Sequence, residues 1–330
     1  MGMFANITST ALHIPSWHWI LLITWFVFLI ILDLTIFHRE DNTPSLKRSL
    51  IESIVWISLG VILGFVFWHL YGSVAGQQYF SGYLIEKALS IDNVFAWSVI
   101  LTYFAIPSKH QYRVLFWGIF GALVMRAVFI FGGIALIQRF EPVVLILAAV
   151  LFYTGIKLLF TKEDSEFNPG DSKLYNWVQK RIPVSHELHG RRFFTLENGR
   201  RIATVLFMAL VVIEITDVIF AIDSVPAILA ISRVPYIVFA SNAAAILGLR
   251  SLYFVFADAK DRFWLLNKAL GLLMIGIGLK MALAPEKILG MQWFGITIST
   301  TLSLIAIGSV IITSIALSLA FPNPEARQSE

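Results

Sequence analysis

The chain has 330 residues, 58% of them hydrophobic and 14% charged, and a formal net charge of +4. Soluble domains are about 25% charged, so this composition excludes a water-soluble globular protein, and its apolar content excludes a disordered chain. The sequence has no cysteine, which excludes disulfide bonds, thiolate metal sites and thiol redox chemistry within the chain.

Nine apolar stretches follow one another along the chain, each long enough for a helix to cross the hydrocarbon core of a bilayer, which takes about 20 residues. They run over 16–37, 51–71, 82–106, 112–138, 142–160, 202–230, 235–257, 263–283 and 292–320. They predict an all-α polytopic membrane protein with about nine transmembrane helices, folded as a single transport domain over 1–330.

Lysine and arginine are concentrated in alternate loops between these stretches, with eight of them in the loop 161–201 alone. Such residues favour the cytoplasmic side of a membrane. We therefore expect the N-terminus outside the cell, the C-terminus in the cytoplasm, and a cytoplasmic loop over 161–201.

One motif occurs twice in the chain. It consists of an acidic residue, four intervening residues, and then Ile-Asp-[Asn/Ser]-Val-x-Ala, so the aspartate lies six positions after the first acid. In the third stretch the two acids are Glu86 and Asp92, and in the sixth stretch they are Asp217 and Asp223.

The predicted topology gives this repetition a meaning. The third stretch enters the membrane from outside and the sixth enters it from the cytoplasm, so the two copies are inverted. Inverted repeats around a site near the membrane midplane are a common transporter architecture. We place repeat one at about 51–138 and repeat two at about 202–283. Arg126 and Arg250 also correspond, each lying alone in an apolar stretch.

Carboxylates within these stretches are the candidate site. An ionised acid at the bilayer centre costs about 2.5–3.5 kcal/mol, and two arginines cannot neutralise all of them. Asp33 stands apart in the first stretch, and the clustered candidate ligands are Glu86, Asp92, Glu214, Asp217 and Asp223. Further oxygen donors come from Ser90, Asn93, Ser224 and Asn242. Hard oxygen ligands suit Mn²⁺, Mg²⁺ and Ca²⁺, and composition does not choose among the three.

Helix geometry leaves one question open. In each motif the aspartate lies about 120° around the helix from the acid six residues earlier. Either Asp92 and Asp223 face a neighbouring helix or the helices are distorted, and Pro226 favours distortion in the second copy. The structural alternative is that the acids, together with Arg126 and Arg250, serve only as helix–helix contacts.

At these motifs the chain resembles the TerC/Alx family of bacterial integral membrane proteins, and its Alx branch most. The stretches that carry the resemblance are 82–95, 214–227 and 241–250, and the resemblance extends over about 20–315. It implies a manganese exporter of the bacterial inner membrane, in a family linked by name to tellurium resistance. The family's acidic residues correspond here to Glu86, Asp92, Glu214, Asp217 and Asp223.

We therefore expect a manganese(II) exporter with alternating access, and clustered acids make an exchange of metal for protons plausible. We expect no enzyme, no resident cofactor and no nucleic-acid partner, only a metal cation and the lipid bilayer; the sequence leaves the oligomeric state open. The alternatives are a calcium transporter, a scaffold in a stress response, and an intramembrane aspartyl protease. The redox role suggested for the Alx branch would need a partner to supply the redox group, because the chain has no cysteine.

Overall fold

A computed structural model describes residues 14–36, 46–160, 184–185, 190, 192–197, 199–256 and 264–321. Most of the predicted loop 161–201 and both termini lie outside these described residues. The helices are α1 (Ser16–Ile36), α2 (Leu46–Tyr71), α3 (Ser73–Tyr103), α4 (Ser108–Arg139), α5 (Val143–Phe160), α6 (Val205–Leu229), α7 (Pro235–Ile246), α8 (Leu249–Phe256), α9 (Trp264–Leu283) and α10 (Thr300–Ala320). Two antiparallel hairpins pair β1 (Phe194–Glu197) with β2 (Arg200–Ala203) and β3 (Lys287–Ile288) with β4 (Met291–Gln292).

The all-α polytopic architecture predicted from the sequence is confirmed. Within the described residues, eight helical segments are long and apolar enough to cross a membrane, with α7 and α8 forming one of the eight. The other long helix, α3, has 31 residues but carries Glu86, Lys87 and Asp92 in its middle. At 1.5 Å per residue its length is about 46 Å, more than the thickness of the hydrocarbon core.

Four predicted helix starts are wrong by four residues or more. Helix α2 begins at Leu46 rather than at 51, and α4 begins at Ser108 rather than at 112. The two larger errors are in α3 and α10. Helix α3 begins at Ser73 rather than at 82, directly after Gly72, whose φ is 89°. Helix α10 begins at Thr300 rather than at 292. The intervening segment forms the second hairpin and a turn at Gly295, where φ is 64° and a helix cannot continue.

The predicted seventh transmembrane stretch is a broken helix. Helix α7 ends at Ile246 and α8 starts at Leu249, because Gly248 takes a φ of 80°. A side chain at that glycine would collide with Trp56 of α2. Lys87 of α3 donates hydrogen bonds to the carbonyl groups at the break, and its ammonium satisfies backbone groups that the interrupted helix leaves without partners.

The helices that the two predicted repeats equate pack antiparallel. In the pair α3 and α6, Asn93 lies opposite Asp217, and Gly82 lies opposite Ile228. In the pair α4 and α7, a phenylalanine ring in the last third of α4 stacks on a phenylalanine ring near the start of α7.

The α5–α9 pair meets through glycines. Gly155 lies against Gly271, and Gly278 lies against Ala148, so residue numbers rise in opposite directions along the two helices. The backbones approach closely there because neither Gly155 nor Gly271 has a side chain. Antiparallel packing of the α3–α6 and α4–α7 pairs is what an inverted repeat requires, whereas α5 lies outside the predicted repeat one; the repeat itself stays a prediction.

Candidate functional site

The contact between α3 and α6 holds a buried ionic cluster. Glu86 of α3 forms an ion pair with Arg126 of α4, and the same guanidinium lies 3.3 Å from Asp217 of α6. Glu86 also accepts hydrogen bonds from the amide of Asn242, at 2.9 Å, and from Ser90, at 3.3 Å. The side chain of Asp217 is 2% exposed, and the other four residues are at most 1% exposed. The first acids of the two motifs therefore meet, joined by one arginine.

Several buried oxygen atoms in this cluster have no hydrogen-bond partner among the described residues. They are Asp217 Oδ2, Asn93 Oδ1 and Asn242 Oδ1, and Ser224 Oγ, two turns further along α6, is also buried without a partner. The side-chain amide nitrogens of both asparagines donate to the cluster's carboxylates. The carbonyl oxygens of the same two amide groups therefore also lie beside the cluster. Buried acceptors without a donor are destabilising, and hard oxygens are the ligands of Mn²⁺, Mg²⁺ and Ca²⁺.

The second acids of the motifs point away from this cluster to neighbouring helices. Asp92 faces α9: with the amide of Asn267 oriented to donate, its nitrogen lies 2.7 Å from Asp92 Oδ1. Asp223 faces α5 and accepts a hydrogen bond of 2.8 Å from Thr154. The question left open by helix geometry is thus answered. Both aspartates face another helix, and α6 continues through Pro226 to its end at Leu229.

The two aspartates lie at different levels along the contact between α3 and α6. Asn93 is level with Asp217, so Asp92, its neighbour, is about five residues along α6 from the level of Asp223. At 1.5 Å per residue this separation is about 7.5 Å along the helix axis. By the same register Asp92 is level with Asp217 and Asp223 is level with Glu86, so the two aspartates flank the cluster rather than lie beyond it along the helix axis.

Glu214 occupies a third environment. It lies one turn before Asp217 on α6, and its carboxylate packs against Gly121 of α4, where any side chain would fill its space. It is half-buried, and no described residue forms a hydrogen bond or an ion pair with it. The five predicted ligands are therefore not gathered at one point. Within the described ranges, no three acidic or histidine side chains are placed to share a metal ion.

The remaining predicted residues form a separate cluster at α1, α4 and α8. Arg250 lies 2.7 Å from Asp33 and its guanidinium is 4.5 Å from the centre of the Tyr112 ring. Asp33 and Arg250 line a pocket between α1, α4 and α7 that is otherwise apolar. The two arginines that correspond in sequence therefore have different roles, since Arg126 alone contacts motif acids.

Sequence reasoning missed several polar residues of these sites. Glu52 of α2 is 4% exposed and accepts hydrogen bonds from Arg48 and Ser251, both at 3.1 Å. Thr154 and Asn267, the partners of the outer aspartates, were also not singled out. The available signal was a polar side chain within an apolar stretch, and Glu52 and Asn267 each have a second polar residue directly after them.

Comparisons with known proteins agree on one family. The family model described as "Integral membrane protein TerC family" matches residues 71–323. A Myxococcus xanthus relative, "Uncharacterized membrane protein STKORF319", is 39% identical over 93% of this chain and 95% of its own length. A Photorhabdus laumondii relative, provisionally named membrane-bound redox modulator Alx, is 38% identical over 77% of this chain and 82% of its own. No solved structure matches.

Proposed function

We propose a function for this chain from the premise that it belongs to the TerC family of integral membrane proteins. The function is export of manganese(II) across the bacterial inner membrane by alternating access. The N-terminus would lie outside and the C-terminus in the cytoplasm, as the distribution of basic residues favours.

One observation carries the proposal. Two carboxylates, Glu86 and Asp217, come from equivalent positions of two antiparallel helices and meet where further buried oxygens have no donor. A structural ion pair would be expected to satisfy its surroundings. Carboxylate, amide and hydroxyl oxygens together form a ligand set for a hard divalent cation. The asparagine amides can replace part of the ion's hydration shell.

The outer aspartates support transport rather than static binding. Asp92 and Asp223 lie about 7.5 Å apart along the helix axis, one against α9 and the other against α5, so a cation that leaves the centre would meet a carboxylate on either flank. Their hydrogen bonds to Asn267 and Thr154 orient them from α9 and α5. The half-buried Glu214 would add charge on one side of the centre. In alternating access, one repeat moves against the other around a fixed site near the membrane midplane.

The test is metal transport by the purified chain in liposomes. A dye inside the vesicles reports Mn²⁺, Ca²⁺ or Mg²⁺ added outside, and a second dye reports internal pH, which shows whether protons move in exchange. We expect Mn²⁺ movement that falls at least about tenfold in Glu86→Gln or Asp217→Asn, because each change removes a ligand. The matched control is Glu52→Gln, a buried carboxylate outside the cluster, which should keep the wild-type rate.

Each outcome of this assay decides between functions. Movement of Ca²⁺ but not Mn²⁺, lost in the same variants, would replace manganese by calcium. Movement of no ion by correctly folded protein would refute transport. The second candidate is a redox role, which the names of the Photorhabdus laumondii and Salmonella typhi relatives favour. It predicts that the folded protein moves none of the three ions. Since this chain has no cysteine, the redox group would then belong to another molecule.

A further inference from the structure

Arg126 is the one feature of the central cluster that a metal-binding site does not need. It comes from α4, is 1% exposed, and contacts Glu86 and Asp217, the equivalent acids of the two motifs. Its guanidinium is permanently charged at any physiological pH. The positions where a divalent cation would be bound are therefore already contacted by a cation that belongs to the protein.

The bonding of this arginine is incomplete. Its Nε has no hydrogen-bond partner among the described residues, and Asp217 Oδ2 beside it also has none. Unpartnered donors alone do not set Arg126 apart, because Arg250 Nη1 is also without a partner among the described residues. What sets Arg126 apart is that it contacts two motif acids and leaves one oxygen of Asp217 unpaired.

The corresponding arginine of the second repeat does not share this place. Arg250 is bound by Asp33 of α1 and covered by the Tyr112 ring. The centre thus combines two carboxylates with one guanidinium, and the symmetry between the repeats is broken at this residue.

The third acid of α6 does not share this arginine. Glu214 is one turn before Asp217 on α6, about 4.5 Å along the axis, and packs against Gly121 of α4. Gly121 is five residues before Arg126 and about 140° around the helix from it. Glu86 and Asp217 are therefore the acids that the guanidinium contacts.

We propose that Arg126 is a tethered counter-cation that takes the place of the metal ion after its release. The inference rests on the proposed transport function. With the metal gone, the guanidinium neutralises part of the charge of Glu86 and Asp217, so the protein can return to its loading state without binding another ion. When metal binds, the guanidinium leaves the two carboxylates. Arg126 is a positioning residue for the return step and is not a ligand.

The test separates net efflux from exchange in liposomes loaded with radioactive manganese. Net efflux runs into metal-free buffer and needs the empty return; exchange runs against external Mn²⁺ and does not. We expect Arg126→Gln to keep exchange while slowing net efflux about 100-fold, because buried carboxylates then return without their partner. The assay is run at pH 8, where protons substitute least for the lost charge.

Two control variants locate the effect. Arg126→Lys keeps the charge and should restore much of the net efflux. Arg250→Gln removes the corresponding arginine and should leave the ratio of net efflux to exchange unchanged. Equal loss of both modes in folded Arg126→Gln would refute the proposal and assign the arginine a purely structural role.

The wild-type protein supplies a further test that needs no variant. If Arg126 serves as counter-cation, wild type carries out net Mn²⁺ efflux at pH 8 with no counter-moving ion, and the rate responds to membrane potential because two charges cross per ion. Wild type that moves manganese only by exchange would overturn the inference while leaving manganese transport intact. Wild type that moves none in either mode would refute the proposed function itself.

Discussion

Replacement of Lys87 by methionine tests how the broken helix α7–α8 is held. The ammonium of Lys87 donates to the carbonyl of Ala245 at 3.0 Å and to that of Leu247 at 3.3 Å. A hydrogen bond from a charged donor contributes about 1.5–3 kcal/mol. Methionine has similar length but no donor, so two carbonyl groups at the break lose their partner. Allowing for the favourable burial of methionine, we expect Lys87→Met to lower the free energy of unfolding by about 3 kcal/mol.

The assay is reversible unfolding of the detergent-solubilised protein by increasing amounts of a denaturing detergent. The matched control is Lys268→Met, because Lys268 is exposed and its only described contact is with the Trp264 ring, at 5.4 Å. Such a contact contributes less than about 1 kcal/mol. If the two variants lost the same small amount of stability, the view that Lys87 holds the break would be refuted.

Three further substitutions probe the packing, each by the same unfolding measurement. Gly248→Ala should cost about 3 kcal/mol, since alanine at φ 80° is strained and meets a tryptophan of α2; a neutral result would mean that the break is not fixed by this glycine. Gly155→Leu should cost about 3 kcal/mol, because its Cβ would lie 2.7 Å from the carbonyl oxygen of Gly271. The exposed Gly276→Leu, with open space around it, should be nearly neutral, and equal effects of the two would contradict close packing of α5 on α9. Asp33→Asn should cost about 2 kcal/mol by removing the carboxylate partner of a buried arginine, and a stabilising effect would show that the pair is not needed.

The apolar stretches were sufficient to predict most helices, because burying backbone groups in lipid leaves a helix as the only solution for such a segment. The failures occur where polarity or glycine interrupts the pattern. Helix α3 starts nine residues before its predicted position because Gln77 and Gln78 lowered the apolar content of its first turns. The break at Gly248 was missed because the apolar run continues on both sides of the glycine.

The residues of the central cluster could be chosen from the sequence, but their arrangement could not. Pairing the two motifs anticipated that Glu86 and Asp217 lie near each other, where one arginine contacts both; that these residues bind a cation stays a prediction. Helix geometry left open whether Asp92 and Asp223 face a neighbouring helix, and only the packing of α9 and α5 decides it. Arg126 and Arg250 are equivalent in sequence and different in place, because the partner of Arg250 comes from α1, outside the repeat.

The central claim is that the oxygens around Glu86 and Asp217 bind the transported cation, and equilibrium binding of Mn²⁺ to the purified chain tests it most directly. The electron paramagnetic resonance signal of hydrated Mn²⁺ decreases as the ion is bound, so a titration gives the number of sites and their affinity. We expect saturable binding by wild type that is lost in the double variant Glu86→Gln with Asp217→Asn and retained in Glu52→Gln. Equal Mn²⁺ binding by wild type and the folded double variant would contradict the account.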